Sequence, residues 1–176
     1  MNKTLLLALC AAMLLSACGK TWTYNAPEDD QWESKPVAQA RPSTYDGDQP
    51  PLVLLFVKCQ PEAKKYADFV IEYAVADGNQ DGAKDYSKQE IIAKASVLAA
   101  ETYPISRVAG NTIYFEVPLK SRFGTGTISE AGAMSIEYPV YLKDGGWVQR
   151  YIKMRTSGLD RAFSKAQREC RRMHKQ

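Results

Sequence analysis

The chain has 176 residues, of which 45% are hydrophobic, and its formal net charge at pH 7 is +3. This length fits one globular domain with a single core, and the absence of interleaved aromatic residues argues against a nucleic-acid-binding protein. The single histidine, His174, lies third from the C-terminus, which disfavours catalytic triads and histidine-rich metal sites.

The chain begins with a segment typical of a secretory signal. Lys3 precedes an apolar run from Leu5 to Leu15, and small residues follow this run. Eleven apolar positions are too few to span a bilayer as a helix. The order of a basic residue, an apolar run and small residues predicts that residues 1–17 are a signal peptide that is removed.

The end of this segment, Leu15-Ser16-Ala17-Cys18, resembles the lipobox of bacterial lipoproteins. The resemblance implies that Cys18 becomes the lipidated first residue of the mature chain and anchors the protein to a membrane of the bacterial cell envelope. In enterobacterial lipoproteins an aspartate after the cysteine favours the inner membrane, and here that position is Gly19. The resemblance therefore implies an outer-membrane lipoprotein that faces the periplasm.

Residues 18–51 combine scattered prolines with acidic side chains and show no sustained periodicity. Such a composition buries too little apolar surface to fold alone, so it predicts a flexible acidic tether. Trp22 and Trp32 are unusual in a tether. They indicate either contact with the membrane interface or packing on the domain.

The predicted domain covers residues 52–176. LVLLFVKC at 52–59 is rich in β-branched and aromatic residues and predicts a strand buried on both faces. Pro61 and the apolar spacing after it predict an amphipathic helix over 61–76. A capping box that begins at Ser87 predicts a second helix to about Thr102, and the two helices would form a hairpin.

The loop between these helices, at 77–85, contains the motif DGNQDG. Its spacing of oxygen-bearing side chains matches the first half of an EF-hand calcium loop, with Gly82 at the turn. The candidate calcium ligands are Asp77, Asn79, Asp81 and Asp85. Lys88 stands where an EF-hand needs a bidentate carboxylate, so a metal-free turn is the competing interpretation.

After Pro104 apolar residues recur at every second position, as in β-strands. Three strands are predicted at 111–119, 133–142 and 147–154, and short strands are predicted at 107–111 and 123–129. Lys-Asp-Gly-Gly at 143–146 is typical of a hairpin turn. Pro118 and Pro139 cannot donate to a β-ladder, which indicates edges or bulges. These strands predict an antiparallel sheet of three to five strands.

The last segment predicts an amphipathic helix. Its apolar stripe consists of Leu159, Phe163, Ala166, Cys170 and Met173. Cys170 would face the core, and Cys59 ends the first predicted strand. In an oxidising compartment two remaining thiols predict a disulfide, with two buried free thiols as the alternative.

The opposite face of this helix is cationic. It carries Arg161, Lys165, Arg168 and Arg172. This face fits an acidic partner, anionic lipid headgroups or cell-wall polymers, and the alternative is a solvated helix end that complements its own dipole.

Together these elements predict an α+β fold with a buried strand, a helical hairpin, an antiparallel sheet and a C-terminal helix. A helical hairpin followed by strands that end in DGGWV resembles cystatin-like and NTF2-like lipoprotein domains. The leading functional hypothesis is a lipid-anchored periplasmic protein-interaction module, either an envelope or secretion-complex component or an immunity-type inhibitor, without a cofactor.

Two other functions are consistent with the sequence. The first is an envelope module that binds calcium through the 77–85 loop. The second is a carboxylate-dependent hydrolase of wall polymers, for which Glu72, Glu116 and Glu137 are the candidate acids. Outward-facing charges on strands are the ordinary explanation for Glu116 and Glu137, so catalysis is the weaker prediction.

Overall fold

The structure is a computed structural model that describes residues 21–25, 27, 35–47, 49–59, 69–96, 98–119, 121–124 and 127–173. In these ranges the chain forms eleven strands and two helices. The strands are β1 (Thr23–Tyr24), β2 (Ala38–Ala40), β3 (Thr44–Tyr45), β4 (Leu52–Cys59), β5 (Phe69–Ala76), β6 (Glu90–Ala95), β7 (Glu101–Pro104), β8 (Arg107–Ala109), β9 (Thr112–Val117), β10 (Ala133–Tyr141) and β11 (Trp147–Arg155). The helices are α1 (Thr127–Glu130) and α2 (Leu159–Met173).

The strands form two antiparallel sheets around one core. The six-stranded sheet has the order β1-β2-β4-β5-β9-β8, and the five-stranded sheet has the order β3-β11-β10-β6-β7. Side chains alternate along each strand, so every second residue reaches the core. On β5 the inward residues are Ile71, Tyr73 and Val75, and all three are fully buried.

The predicted α+β fold is wrong, because the protein is mostly β with one long C-terminal helix. Residues 69–76 of the first predicted helix form β5, which pairs with β4 on one side and β9 on the other. Residues 61–68 lie outside the described residues. β4 pairs with all of β5 and β9 pairs with its residues 71–76, and this pairing overrides the weak helical spacing of the apolar residues.

The second predicted helix is also wrong. Its residues form β6 and begin β7, and these two strands pair with each other. The Ser87 amide donates a hydrogen bond to Asp85 Oδ1 at 2.8 Å, so Ser87 belongs to a turn rather than to a helix cap. Without the helical hairpin, the resemblance to cystatin-like and NTF2-like domains fails as well.

Several predicted elements are confirmed. β4, β9 and α2 lie where the sequence places them, and β10 and β11 form the predicted hairpin around Gly145 and Gly146. Gly145 has a φ of +95°, which explains the glycine in this turn. Pro139 lies beyond the last residue of β10 that pairs with β6, as expected for proline. The predicted strand at 123–129 is wrong, since residues 123–124 lie in a turn and residues 127–129 in α1.

The segment predicted as a tether contributes to the domain. β1 and β2 extend the six-stranded sheet, and β3 pairs with β11 in the other sheet. Trp22 is 1% exposed and meets the Tyr73 ring edge-on, with 6.2 Å between the ring centroids. The folded domain therefore begins before residue 52, and Trp22 belongs to its core.

The C-terminal helix closes the core and is covalently linked to a sheet. Its buried residues are Leu159, Ala162, Phe163, Ala166 and Cys170. Cys170 forms the predicted disulfide with Cys59 at the end of β4, with a Cα–Cα distance of 5.7 Å. Within the described ranges, no helix has the length and apolar content needed to cross a membrane.

Candidate functional site

The outer side of the five-stranded sheet carries large aromatic side chains that the core does not cover. Trp147 is 58% exposed and Tyr151 is 37% exposed, and they are the exposed large hydrophobic residues of the described chain. Gln149 lies between them on β11, and Tyr141 on β10 is directly opposite Trp147. We call Tyr141, Trp147, Gln149 and Tyr151 the aromatic face.

Local structure determines this exposure. The neighbouring β11 residues Ile152 and Met154 are fully buried, so the alternate positions turn towards solvent. Tyr141 is held in place by an edge-on contact with the Tyr86 ring, whose centroid is 4.9 Å away. The aromatic face therefore lies on a rigid hairpin and not on a loop.

The same side of the sheet becomes basic further along the hairpin. Lys153 and Arg155 follow Tyr151 on the outer side of β11, and Lys94 extends the basic region onto β6. Glu137 lies opposite Tyr151, and two further acidic residues are close by: Glu90 is exposed on β6, and Asp46 Oδ2 accepts a hydrogen bond from the Tyr151 amide at 3.1 Å. Exposed Trp, Tyr and Arg are the residues that dominate the energetics of protein–protein interfaces.

The aromatic face was not among the predicted sites. The predicted strands at 133–142 and 147–154 match β10 and β11, but no aromatic residue was predicted to point away from the core. The available signal was the alternation in WVQRYIKM, which puts Trp147 and Tyr151 on the side opposite Ile152 and Met154.

The candidate calcium ligands differ in their burial and in their hydrogen-bond partners. Asp77 is 0% exposed, and its two carboxylate oxygens accept from the Asn79 amide at 3.0 Å and from the Tyr138 hydroxyl at 2.9 Å. Asp81 accepts from the Ala83 amide at 3.1 Å in a local turn. Within the described chain, no group of three or more His, Cys, Asp or Glu residues is arranged to hold a metal ion.

Two more features of the 77–85 loop have a structural explanation. A Cβ atom on Gly82 would overlap the carbonyl oxygen of Gly110, so this close approach of two backbones requires glycine. Asp85 is exposed, and the hydrogen bond from the Ser87 amide lowers the pKa of its carboxyl. Each acidic residue of the 77–85 loop thus stabilises a part of it.

The candidate hydrolytic carboxylates do not share a cleft. Glu72 and Glu116 are opposite each other on β5 and β9, whereas Glu137 lies on the other sheet. Glu72 is 1% exposed and forms ion pairs with Lys58 Nζ at 3.2 Å and Arg107 Nη2 at 2.9 Å. Its paired, buried carboxylate has no access to a substrate, so this trio offers no acid and base pair.

A cleft of about 900 Å³ opens between β7 and the turn that follows β9. At its base the Tyr103 hydroxyl lies 2.8 Å from Glu101 Oε2 and 2.6 Å from Ser121 Oγ. Burial raises the pKa of Tyr103, so its hydroxyl stays protonated and cannot act as a base for Ser121. The network connects β7 to the turn rather than activating a nucleophile.

The cationic residues predicted on the last helix remain at the surface. Arg161, Arg168 and Arg172 are exposed, and Lys165 Nζ lies 4.9 Å from the centroid of the Tyr24 ring. Arg172 pairs with Glu169 at 3.0 Å, which is a solvent-exposed contact. The predicted lipidation site, Cys18, and the signal peptide lie outside the described residues.

Comparison with known proteins does not assign a family to the chain. No protein-family model matches it, and no curated protein matches it. The crystal structure of invasion associated protein B from Bartonella henselae is similar, with 10% sequence identity and a TM-score of 0.49 over 89% of this chain and 96% of that one. Similarity at this level establishes no function.

Proposed function

We propose that the protein is a lipid-anchored protein-interaction module of the bacterial periplasm. Lipid on Cys18 holds it at the outer membrane, and the aromatic face binds a protein partner. Its role is that of a component of an envelope or secretion assembly, or of an immunity-type inhibitor.

The exposure of Trp147 is the observation that supports this proposal most directly. A tryptophan that is 58% exposed on a rigid strand leaves a large apolar surface in water, and Tyr151 adds to it on the same side. Such surfaces on soluble domains typically mark sites of protein contact. The basic residues Lys153 and Arg155 favour a partner that is apolar opposite Trp147 and acidic beside it.

Site-specific photocrosslinking in living cells tests the proposal. We expect a photoreactive phenylalanine at Gln149 to give one dominant protein adduct in the membrane fraction. The double substitution Trp147→Ala and Tyr151→Ala should lower the yield of this adduct more than tenfold, because truncating aromatic anchors costs about 2 kcal/mol or more each. Cys18→Ala should move the protein out of the membrane fraction.

The controls place the probe, or a substitution, at exposed positions outside the aromatic face. A probe at Glu116, which is exposed on the other sheet, should give no such adduct. Thr102→Ala, a substitution on β7 of the same sheet, should leave the adduct from Gln149 unchanged. Equal adducts from Gln149 and Glu116, or full adduct yield in the double variant, would contradict the proposal.

A further inference from the structure

The first described residues are fixed to the start of α2. The Trp22 amide donates to the Ser157 carbonyl at 3.1 Å, and the Thr21 amide donates to Ser157 Oγ at 3.1 Å. Ser157 Oγ in turn donates to Thr21 Oγ1 at 3.1 Å. These three bonds place the entry of the chain into the domain beside the first turn of the last helix.

The distance from this point to the lipid is limited by covalent geometry. Three peptide units join Cys18 to Thr21, and their greatest possible span is about 11 Å. This is close to the Debye length of about 8 Å at physiological ionic strength. A lipid on Cys18 would therefore bring the start of α2 within electrostatic range of the bilayer surface.

The side of α2 opposite its buried residues is basic. Arg161, Lys165, Arg168 and Arg172 follow a spacing of four, three and four residues, which puts them on one side of the helix, opposite the buried stripe. We call these four residues the cationic stripe. At 1.5 Å per residue it is about 16 Å long, which is enough to contact several lipid headgroups.

A groove connects the cationic stripe to β1. It has a volume of about 470 Å³, and its lining includes Trp22, Tyr24, Arg161 and Lys165. The buried indole N–H of Trp22 has no hydrogen-bond partner among the described residues. Arg161 and Lys165 line this groove together with the rings of Trp22 and Tyr24, and such an environment suits a phosphate group at a membrane interface.

We propose that the cationic stripe and this groove bind anionic phospholipid headgroups, so that α2 lies on the membrane that holds the anchor. The proposal rests on the lipidation of Cys18 in the proposed function. The position of Thr21 favours a lipid over an acidic protein as the occupant, because the bilayer is the anionic surface that the anchor brings to α2. A basic patch adds electrostatic attraction to anionic lipids to the affinity of the lipid anchor.

Vesicle sedimentation of the mature chain with Cys18→Ser tests this proposal without the lipid. We expect binding to vesicles of phosphatidylglycerol and phosphatidylethanolamine that weakens with salt, and no binding to phosphatidylcholine vesicles. Arg161→Glu with Arg168→Glu should weaken binding at least about tenfold, since each basic residue near an anionic surface contributes about fivefold. The matched control is Lys84→Glu with Lys143→Glu, two exposed loop lysines whose reversal changes the net charge equally.

Three results would overturn the proposal. The first is no binding to the anionic vesicles, and the second is an equal loss in the stripe variant and in the control. The third is a stripe variant that still binds vesicles but loses the Gln149 adduct, which would make an acidic protein the occupant. The double variant Trp147→Ala and Tyr151→Ala should lose the Gln149 adduct but still bind vesicles. The failure of one proposal can therefore be distinguished from the failure of the other.

Discussion

At the scale of single residues, Asp77 shows how a carboxylate is accommodated inside the protein. A buried charge is tolerated when its oxygens accept hydrogen bonds, and Tyr138 and the Asn79 amide supply them. Burial and the neighbouring Asp77 carboxylate raise the pKa of Tyr138, so the tyrosine hydroxyl remains a donor at neutral pH. This pair connects the 77–85 loop to β10.

We expect Asp77→Ala to lower the free energy of unfolding by about 2 to 3 kcal/mol, because the buried Tyr138 hydroxyl loses its acceptor. Asp81→Ala should cost less than about 1 kcal/mol, since Asp81 is only partly buried and closes a local turn. Urea denaturation measures both. Addition of calcium should leave the melting temperature unchanged, because the ion would have to displace both partners of Asp77.

A rise in melting temperature with calcium that Asp77→Ala abolishes would contradict this expectation. Tyr138→Phe provides the matched comparison. If the two residues act as a pair, the double variant should be less destabilised than the sum of the single variants.

At the scale of secondary-structure elements, Glu101 on β7 connects this edge strand to the turn after β9. Burial opposes the ionisation of Glu101, but hydrogen bonds from Ser121, Tyr103 and the Arg122 amide outweigh it and lower the pKa of Glu101. A carboxyl group with a lowered folded-state pKa adds stability above its unfolded pKa and loses it as the pH falls through the folded value.

Glu101→Gln should therefore lower the free energy of unfolding at pH 7 by about 1 kcal/mol. The difference should begin to shrink below about pH 4.5, the ordinary pKa of glutamate, and vanish once Glu101 is protonated. Thermal unfolding of both proteins across this range measures the effect. Glu116→Gln, at an exposed position on the same cleft, is the control, and a pH-independent loss in Glu101→Gln would contradict the prediction.

The sequence was informative where the apolar period or the composition favoured one structure. β9, the β10–β11 hairpin and α2 have a clear period, and β4 is rich in β-branched and aromatic residues; these elements were predicted correctly. The predictions for β5 and β6 were wrong because their small and apolar residues fit both the helical period of 3.6 residues and the strand period of two. Ile71, Tyr73 and Val75 alternate as in a strand, but the choice between periods depends on β4 and β9, which are distant in sequence.

The candidate sites were predictable to different degrees. The cationic stripe follows from helical spacing alone, and its four residues were identified before the fold. The contact of β1 with α2 was not predictable, because the composition around Trp22 resembles a tether. The structure shows it through Lys165 on α2, which lies 4.9 Å from the Tyr24 ring on β1, and through the hydrogen bonds of the preceding residues to Ser157.

At the scale of the whole molecule, the disulfide joins two distant parts of the chain. Cys59 and Cys170 are separated by 111 residues and connect β4 of the six-stranded sheet to α2. Closing so long a loop restricts the unfolded chain, which on the chain-entropy model contributes about 4 to 5 kcal/mol of stability.

Replacement of both cysteines, Cys59→Ser with Cys170→Ser, should therefore lower the melting temperature by more than about 10 °C for a domain of this size. Reduction of the unsubstituted protein should lower it by a similar amount. Differential scanning calorimetry measures both. An unchanged melting temperature after verified reduction would show that the bond adds no stability.

Under the proposed function, the hydrogen bonds of Thr21 and Trp22 to Ser157 would also affect the timing of folding during export. Residues 21–45 would reach the periplasm first, whereas their partners at 152–157 would cross the inner membrane among the last. The five-stranded sheet, which needs β11, could therefore be completed only when translocation is nearly finished, and contacts between such distant residues form slowly. Lipid transfer to Cys18 would act on a chain that has not yet folded.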